Sequence, residues 1–82
     1  MFYVYILFSK KSNRYYIGQT NDITRRLHRH NSGYELATAP YVPWQLECII
    51  EKATRSESVI LEHKLKNLNT VDLKKFIHKY KN

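Results

Sequence analysis

The sequence is short of the residues that mark many functional classes. A single cysteine, Cys48, has no partner for an intramolecular disulfide and belongs to no cysteine pattern for zinc. No apolar run approaches the roughly 20 residues that span a bilayer. The first residues show no basic stretch followed by an apolar one and a cleavage site. These absences set the expectation of a cytoplasmic protein with no membrane partner. Prolines number two, Pro40 and Pro43, and both fall in Tyr34–Pro43, a segment with no helical or strand period and hence a loop. Acidic residues are scarce as well, 7 Asp and Glu against 14 Lys and Arg, for a net charge of +7. In so small a chain that excess points to a polyanionic partner, most often nucleic acid. The basic residues are spread over several elements, not gathered on one amphipathic helix, which disfavours a membrane surface. Neither an internal repeat nor a low-complexity segment is present.

What is abundant is tyrosine, with seven in 82 residues. The length suits one domain, residues 1–82, with a thin core, and the 43% hydrophobic and 26% charged content is that of a folded globular chain. Two short aromatic strands, Phe2–Phe8 and Tyr15–Gly18, flank a polar loop. The first alternates Tyr3, Tyr5, Leu7 with Phe2, Val4, Ile6, Phe8 and is apolar on both faces, which predicts a central strand covered on both sides. Buried phenols must find hydrogen-bond partners, so a merely structural hairpin would more economically use Phe, Val or Ile. The tyrosines therefore hint at chemistry.

Asn21 or Asp22 is positioned to cap a helix running to about His30, which Asn31-Ser32-Gly33 then stops. Its inward stripe, at about 100° per residue, is Ile23, Arg26, Leu27 and His30. Two polar residues thus share a face with the apolar anchors. A structural reading has Arg26 snorkelling or paired and His30 capping a carbonyl; a functional reading has both serving a site. Trp44–Glu51 reads as a third strand with Trp44, Leu46, Cys48 and Ile50 facing the core and Ile49 as the exception. Thr54-Arg55-Ser56-Glu57 is a capping box opening a helix to about Leu68, with Leu61, Leu65 and Leu68 inward and Glu62 on the flank beside Ser58. Thr70 is expected to cap a last helix whose core residues are Leu73, Phe76, Ile77 and Tyr80. Lys74, Lys75, His78 and Lys79 lie opposite, most simply as a solvated face. The order is β-β-α-β-α-α, an α+β domain with a small sheet covered by helices.

Tyr3-Val4-Tyr5-Ile6-Leu7 followed by Tyr15-Tyr16-Ile17-Gly18-Gln19-Thr20 resembles the paired motif of the GIY-YIG nucleases. The helix Asn21–His30, the Pro43-Trp44 entry to the third strand, and Ser56-Glu57 through Glu62 continue the likeness over essentially the whole chain. It looks closest to the small stand-alone bacterial proteins of that family. The resemblance implies a three-stranded antiparallel sheet flanked by helices. It also implies a metal-dependent endonuclease cutting phosphodiester bonds, usually in DNA, with one divalent metal ion, Mg2+ or Mn2+. By this likeness the catalytic set is Tyr5, Tyr16, Arg26, His30 and Glu62, with Glu62 the metal ligand and Gly18 a structural glycine of the second motif. Arg25, Arg29 and Lys66 are the expected further contacts to nucleic acid. The chain departs from the pattern at the first-motif glycine, which it lacks. Gln19 replaces a lysine of excision-repair relatives, and the Glu35–Val42 stretch has no Lys or Arg where small bacterial relatives commonly carry them.

The chemistry such a set must perform is definite. Phosphodiester hydrolysis needs an activated water, charge neutralisation on the phosphate and a protonated leaving group. A guanidinium at Arg26 offers a planar fork to phosphate oxygens. Tyr5 is the candidate general base or water-orienting group, and at an ordinary pKa near 10 it needs nearby positive charge to lower it. Tyr16 and His30 would position the water or relay protons. All five side chains are expected on one sheet face. A nucleic-acid-binding module with feeble or no cleavage is the alternative, and an adaptor whose tyrosines are only core is a further one. A monomer or weak homo-oligomer is expected in either case.

Overall fold

The computed structural model describes residues 1–81. Three strands, β1 (Phe2–Ser9), β2 (Arg14–Thr20) and β3 (Gln45–Lys52), and three helices, α1 (Ile23–Asn31), α2 (Arg55–Lys66) and α3 (Thr70–Tyr80), follow in the expected order, with a short 3-10 turn at Ala39–Tyr41. The sheet is antiparallel with strand order β2-β1-β3, so the two-sided apolar strand is indeed the central one. The second strand extends past Gly18 to Thr20. Gln19 and Thr20 are polar, yet they keep pairing with Val4 and Tyr3 because β1 continues beside them.

Each face of β1 builds its own core. Val4 and Ile6, with Ile17 and Cys48, pack under Leu65 of α2 and Leu73 and Ile77 of α3. Burying each of those helix side chains contributes roughly 1.5–3 kcal/mol of transfer free energy. On the other face Tyr5, Leu7 and Trp44 pack with Tyr16 and with Ile23 and Leu27 of α1. Tyr5 pairs with Gly18 and Leu7 with Tyr16, which places both tyrosines on this second face.

The third strand differs from its simple alternation. Ile6 pairs with Cys48 but Leu7 with Leu46, so Glu47 is the extra residue of a β-bulge. The bulge reverses the facing of the strand. Trp44 and Leu46 join the Tyr5 side, Cys48 packs on the helix α2–α3 side with Ile50 against it, and Ile49 pairs with Tyr5. The four residues expected on one core are divided between two.

Helix ends follow their capping chemistry. Asp22 caps α1 by accepting from the Arg25 amide, and Thr54 caps α2 by accepting from that of Glu57. The Thr54 hydroxyl in turn lies 3.0 Å from the Glu57 carboxylate. Asn69, not Thr70, caps α3, because its side-chain carbonyl reaches the Asp72 amide at 2.8 Å and the helix starts one residue sooner. The second helix stops at Lys66, short of Leu68, although Leu68 still packs against the core. Tyr80 is not a core residue. It is 42% exposed and lies against Phe76 with ring centroids 4.6 Å apart.

Candidate active site

On the second face, three polar side chains meet in direct contact. The Tyr5 hydroxyl lies 2.9 Å from His30 Nε2 and accepts a hydrogen bond from Arg26 Nε at 3.3 Å. Tyr5 and His30 are both essentially buried. Strand β1 delivers Tyr5, and the i, i+4 spacing on α1 delivers Arg26 and His30 from the same stripe as Leu27. Tyr16 closes the cluster, its ring edge-on to His30 at 4.8 Å and 6.3 Å from that of Tyr5. Gly18 makes room for it. A Cβ there would stand 2.4 Å from the Tyr5 hydroxyl oxygen, so the motif glycine is required by close approach, not by an unusual backbone angle.

The direction of the hydrogen bonds can be read from their far end. Thr38 donates its hydroxyl proton to the Glu35 carbonyl at 3.3 Å, so it can only accept from His30 Nδ1, 2.9 Å away. With Nδ1 protonated, neutral His30 presents a lone pair on Nε2, and the Tyr5 hydroxyl donates to it. The chain therefore runs from Arg26 to Tyr5 to His30 to Thr38 to Glu35. Burial, with the Arg26 charge next, holds the His30 pKa below its ordinary value, which keeps the ring neutral.

Tyr5 behaves opposite to expectation. Its pKa is pushed up to about 12, first by burial, with the hydrogen bond from Arg26 opposing and the Tyr16 and Glu62 charges adding to the rise. The positive charge beside it does not outweigh desolvation. Tyr5 is therefore a phenol at neutral pH and needs an acceptor, which His30 supplies. Arg26 is raised in turn, chiefly by its bond to Tyr5.

Glu62 stands apart. It projects from α2, whose Leu65 packs on the opposite face, and within the described residues it makes no hydrogen bond to Tyr5, Tyr16, Arg26 or His30. Its neighbour one turn earlier, Ser58, bonds Gln19 of β2 at 2.8 Å, so this turn of α2 is held against the edge strand. The five side chains thus do not share one face: four meet on the Tyr5 side, and Glu62 approaches around β2. The Glu62 carboxylate pairs with Lys66 at 3.5 Å, an i,i+4 contact with a half-exposed lysine that is worth little and easily displaced. No group of three or more His, Cys, Asp or Glu that could hold a metal occurs among the described residues. Glu62 therefore fits a cation whose remaining positions are filled by phosphate oxygens and water, as Mg2+ accepts, and not a closed all-protein site.

Several residues at the site have no sequence signal that marks them. Thr38 orients His30 across a loop. Glu35 pairs with Arg29 at 3.1 Å and Arg26 at 3.7 Å, setting a carboxylate on the guanidinium fork. Asn31 clamps the end of α1 to β3: its amide donates to the Trp44 carbonyl at 3.1 Å and accepts from the Trp44 amide at 2.6 Å. The Trp44 indole donates to the Thr38 carbonyl at 3.0 Å. The lack of Lys and Arg in Glu35–Val42 was the one available hint that this loop differs. Arg25 is exposed and Arg29 half-buried on α1, while Lys66 sits beside Glu62 on α2.

Comparison with known proteins agrees with this geometry. The sequence matches the family model described as the GIY-YIG catalytic domain over residues 1–76. It is 38% identical over 68 residues to a protein of Brugia malayi named structure-specific endonuclease subunit SLX1 homolog, a match covering 72% of this chain and 20% of that protein. The chain thus spans a fifth of that curated relative's length. The fold matches the solution NMR structure of the UPF0213 protein BH0048 from Bacillus halodurans with a TM-score of 0.62 and 29% identity, covering 95% of this chain and 84% of that one.

Proposed function

Because the chain belongs to the GIY-YIG family, and so carries the catalytic domain of a nuclease family, we propose that it is a divalent-metal-dependent endonuclease acting on DNA. The observation that carries this reading is the directed chain Arg26–Tyr5–His30–Thr38 at the end of a basic helix. Core tyrosines of a mere scaffold do not need a guanidinium on one side and an imidazole lone pair on the other.

In this reading a water beside the Tyr5 oxygen gives it a proton while the Tyr5 hydroxyl proton passes to His30 Nε2. The hydroxide attacks phosphorus, and His30 is left as imidazolium, donating through Nδ1 to Thr38. The raised Tyr5 pKa suits a group that passes a proton on and does not store negative charge. Arg26 supplies its NH groups to the phosphate oxygens, and Tyr16 walls the water's position. Glu62 would hold the divalent ion, Mg2+ or Mn2+, which when bound supplies charge neutralisation at the phosphate. Arg25, Arg29 and Lys66 would contact flanking phosphates. Action as a monomer or weak homo-oligomer on DNA in the cytoplasm completes the proposal.

One observation favours a second reading, a binding module with feeble cleavage: Glu35 already occupies the Arg26 and Arg29 guanidinium groups. A cleavage assay with and without Mg2+, over branched, single-stranded and duplex DNA and RNA, separates the two. Metal-dependent cleavage that disappears in Glu62→Ala, with unchanged thermal melting, is expected. Equal cleavage by that variant would overturn the role of Glu62, and binding without any cleavage would favour the module.

A further inference from the structure

Just past α1 the chain presents two large apolar side chains to solvent, Tyr34 at 72% and Leu36 at 89% exposure. Neither contributes to a core. Gly33, at a φ of +80°, turns the chain out of the helix, and the Tyr34 amide then bonds the Arg29 carbonyl, which fixes where the residue leaves the helix end. Tyr34, Arg25, His28 and Arg29 line an open cleft of about 260 Å³. A second, more polar cleft of about 160 Å³ adjoins it, sharing Arg25 and Arg29 and reaching Arg26. Arg26 touches the Tyr5 hydroxyl. An unbroken line therefore runs from the reacting centre, over three arginines of one helix, to an exposed phenol ring.

We infer that the Tyr34 cleft binds one unpaired nucleotide next to the cleaved phosphate, its base against the Tyr34 ring and its phosphate between Arg25 and Arg29. The inference rests on the nuclease reading and names the substrate feature that the same site selects. Arginine charges suit a phosphate, and the exposed ring suits a nucleobase, whose π-faces stack on aromatic side chains whatever the sequence. A base inside a duplex has both faces covered by its neighbours, so only an unpaired one can offer a face to Tyr34. A protein segment docking on Tyr34 and Leu36 would have no use for the arginine line behind them.

The test is a binding measurement in EDTA at low salt, so that no cleavage intervenes, followed by cleavage in Mg2+. Fluorescein-labelled duplex DNA is compared with the same duplex carrying a short single-stranded thymidine tail. The wild-type protein should prefer the tailed duplex. Tyr34→Ala should lose that preference, a weakening of roughly tenfold or more, the size of loss seen when one stacked base is deprived of its aromatic platform. Tyr34→Phe should keep it, and Arg25→Ala should weaken binding to both duplexes alike. Tyr34 is exposed, so these variants fold. Equal or undetectable binding of both duplexes by the wild type, or an unchanged preference in Tyr34→Ala, overturns the inference. Absence of cleavage alongside the expected binding pattern would refute the nuclease reading and leave the unpaired-nucleotide site supported.

Discussion

Replacing Gly18 by alanine is the most informative small change in this chain. The new methyl would lie 2.4 Å from the Tyr5 oxygen, 2.6 Å from Cζ and 3.1 Å from Cε1. Ordinary contact requires about 1 Å more than the shortest of these. Tyr5 has little freedom to yield, being 1% exposed and packed among Tyr16, His30 and Leu7. Overpacking of this kind costs about 1–3 kcal/mol. For a domain of this size that corresponds to a fall in melting temperature of roughly 5–20 °C. The displaced hydroxyl would also leave Arg26 and His30, and a misplacement of about 1 Å at a reacting group costs on the order of 100-fold in rate. Thermal melting gives the first quantity, and metal-dependent DNA cleavage, assayed well below the variant's melting temperature, gives the second. A double-mutant cycle with Tyr5→Phe sharpens the argument, since removing the hydroxyl oxygen relieves the shortest contact. The two changes should then couple by more than about 0.5 kcal/mol in stability. Normal cleavage by a destabilised Gly18→Ala protein would show that the position of the Tyr5 hydroxyl is immaterial to the reaction.

Other outcomes follow from the same geometry. Thr38→Val keeps the shape but removes the acceptor for His30 Nδ1; nitrogen NMR of the imidazole should show loss of the single tautomer and cleavage should drop about 10²–10⁴-fold, while Thr38→Ser retains both. Retention of rate by Thr38→Val would disprove the relay. Glu35→Gln should free Arg26 and Arg29, tighten DNA binding at low salt and steepen the log–log salt dependence by about 0.9, the value for one more neutralised phosphate; weaker binding would mean that Glu35 serves to order the arginines. Alkali should reveal Tyr5. The unfolded chain loses that proton near pH 10 and the folded one near pH 12, so stability falls as pH rises between them, by about 3 kcal/mol. The difference between wild type and Tyr5→Phe in denaturant titrations isolates this contribution, and parallel curves would contradict it. His30 acts at the other end: its depressed pKa makes the unfolded state bind the proton first, so its contribution is complete above pH 6.5 and is lost as pH falls below it.

The features that sequence alone made plain are those governed by neighbours along the chain. Apolar residues on both sides of Phe2–Phe8 required a central strand, because only burial on both faces removes them from water. Helical spacing brought Arg26 and His30 to the face of Leu27, and the resemblance of the tyrosine motifs to a known family pointed to the reaction class. Capping was legible to within a residue: Asp22 and Thr54 were identifiable, but Asn69 and Thr70 are both good caps, and the choice depended on where the helix could begin against the sheet. Contacts across the fold were beyond local reading. A bulge at Glu47 reversed the facing of β3, since one extra residue inverts a period of two. The acceptor for His30 and the carboxylate on the arginines came from Thr38 and Glu35, loop residues that no periodicity distinguishes. The pKa of Tyr5 was decided by how deeply Gly18 lets its ring settle: burial raised it further than Arg26 could lower it. Sequence determined which side chains were available and which face of each element carried them. Tertiary structure decided which of them met, because distance, burial and the direction of a hydrogen bond are properties of the folded chain.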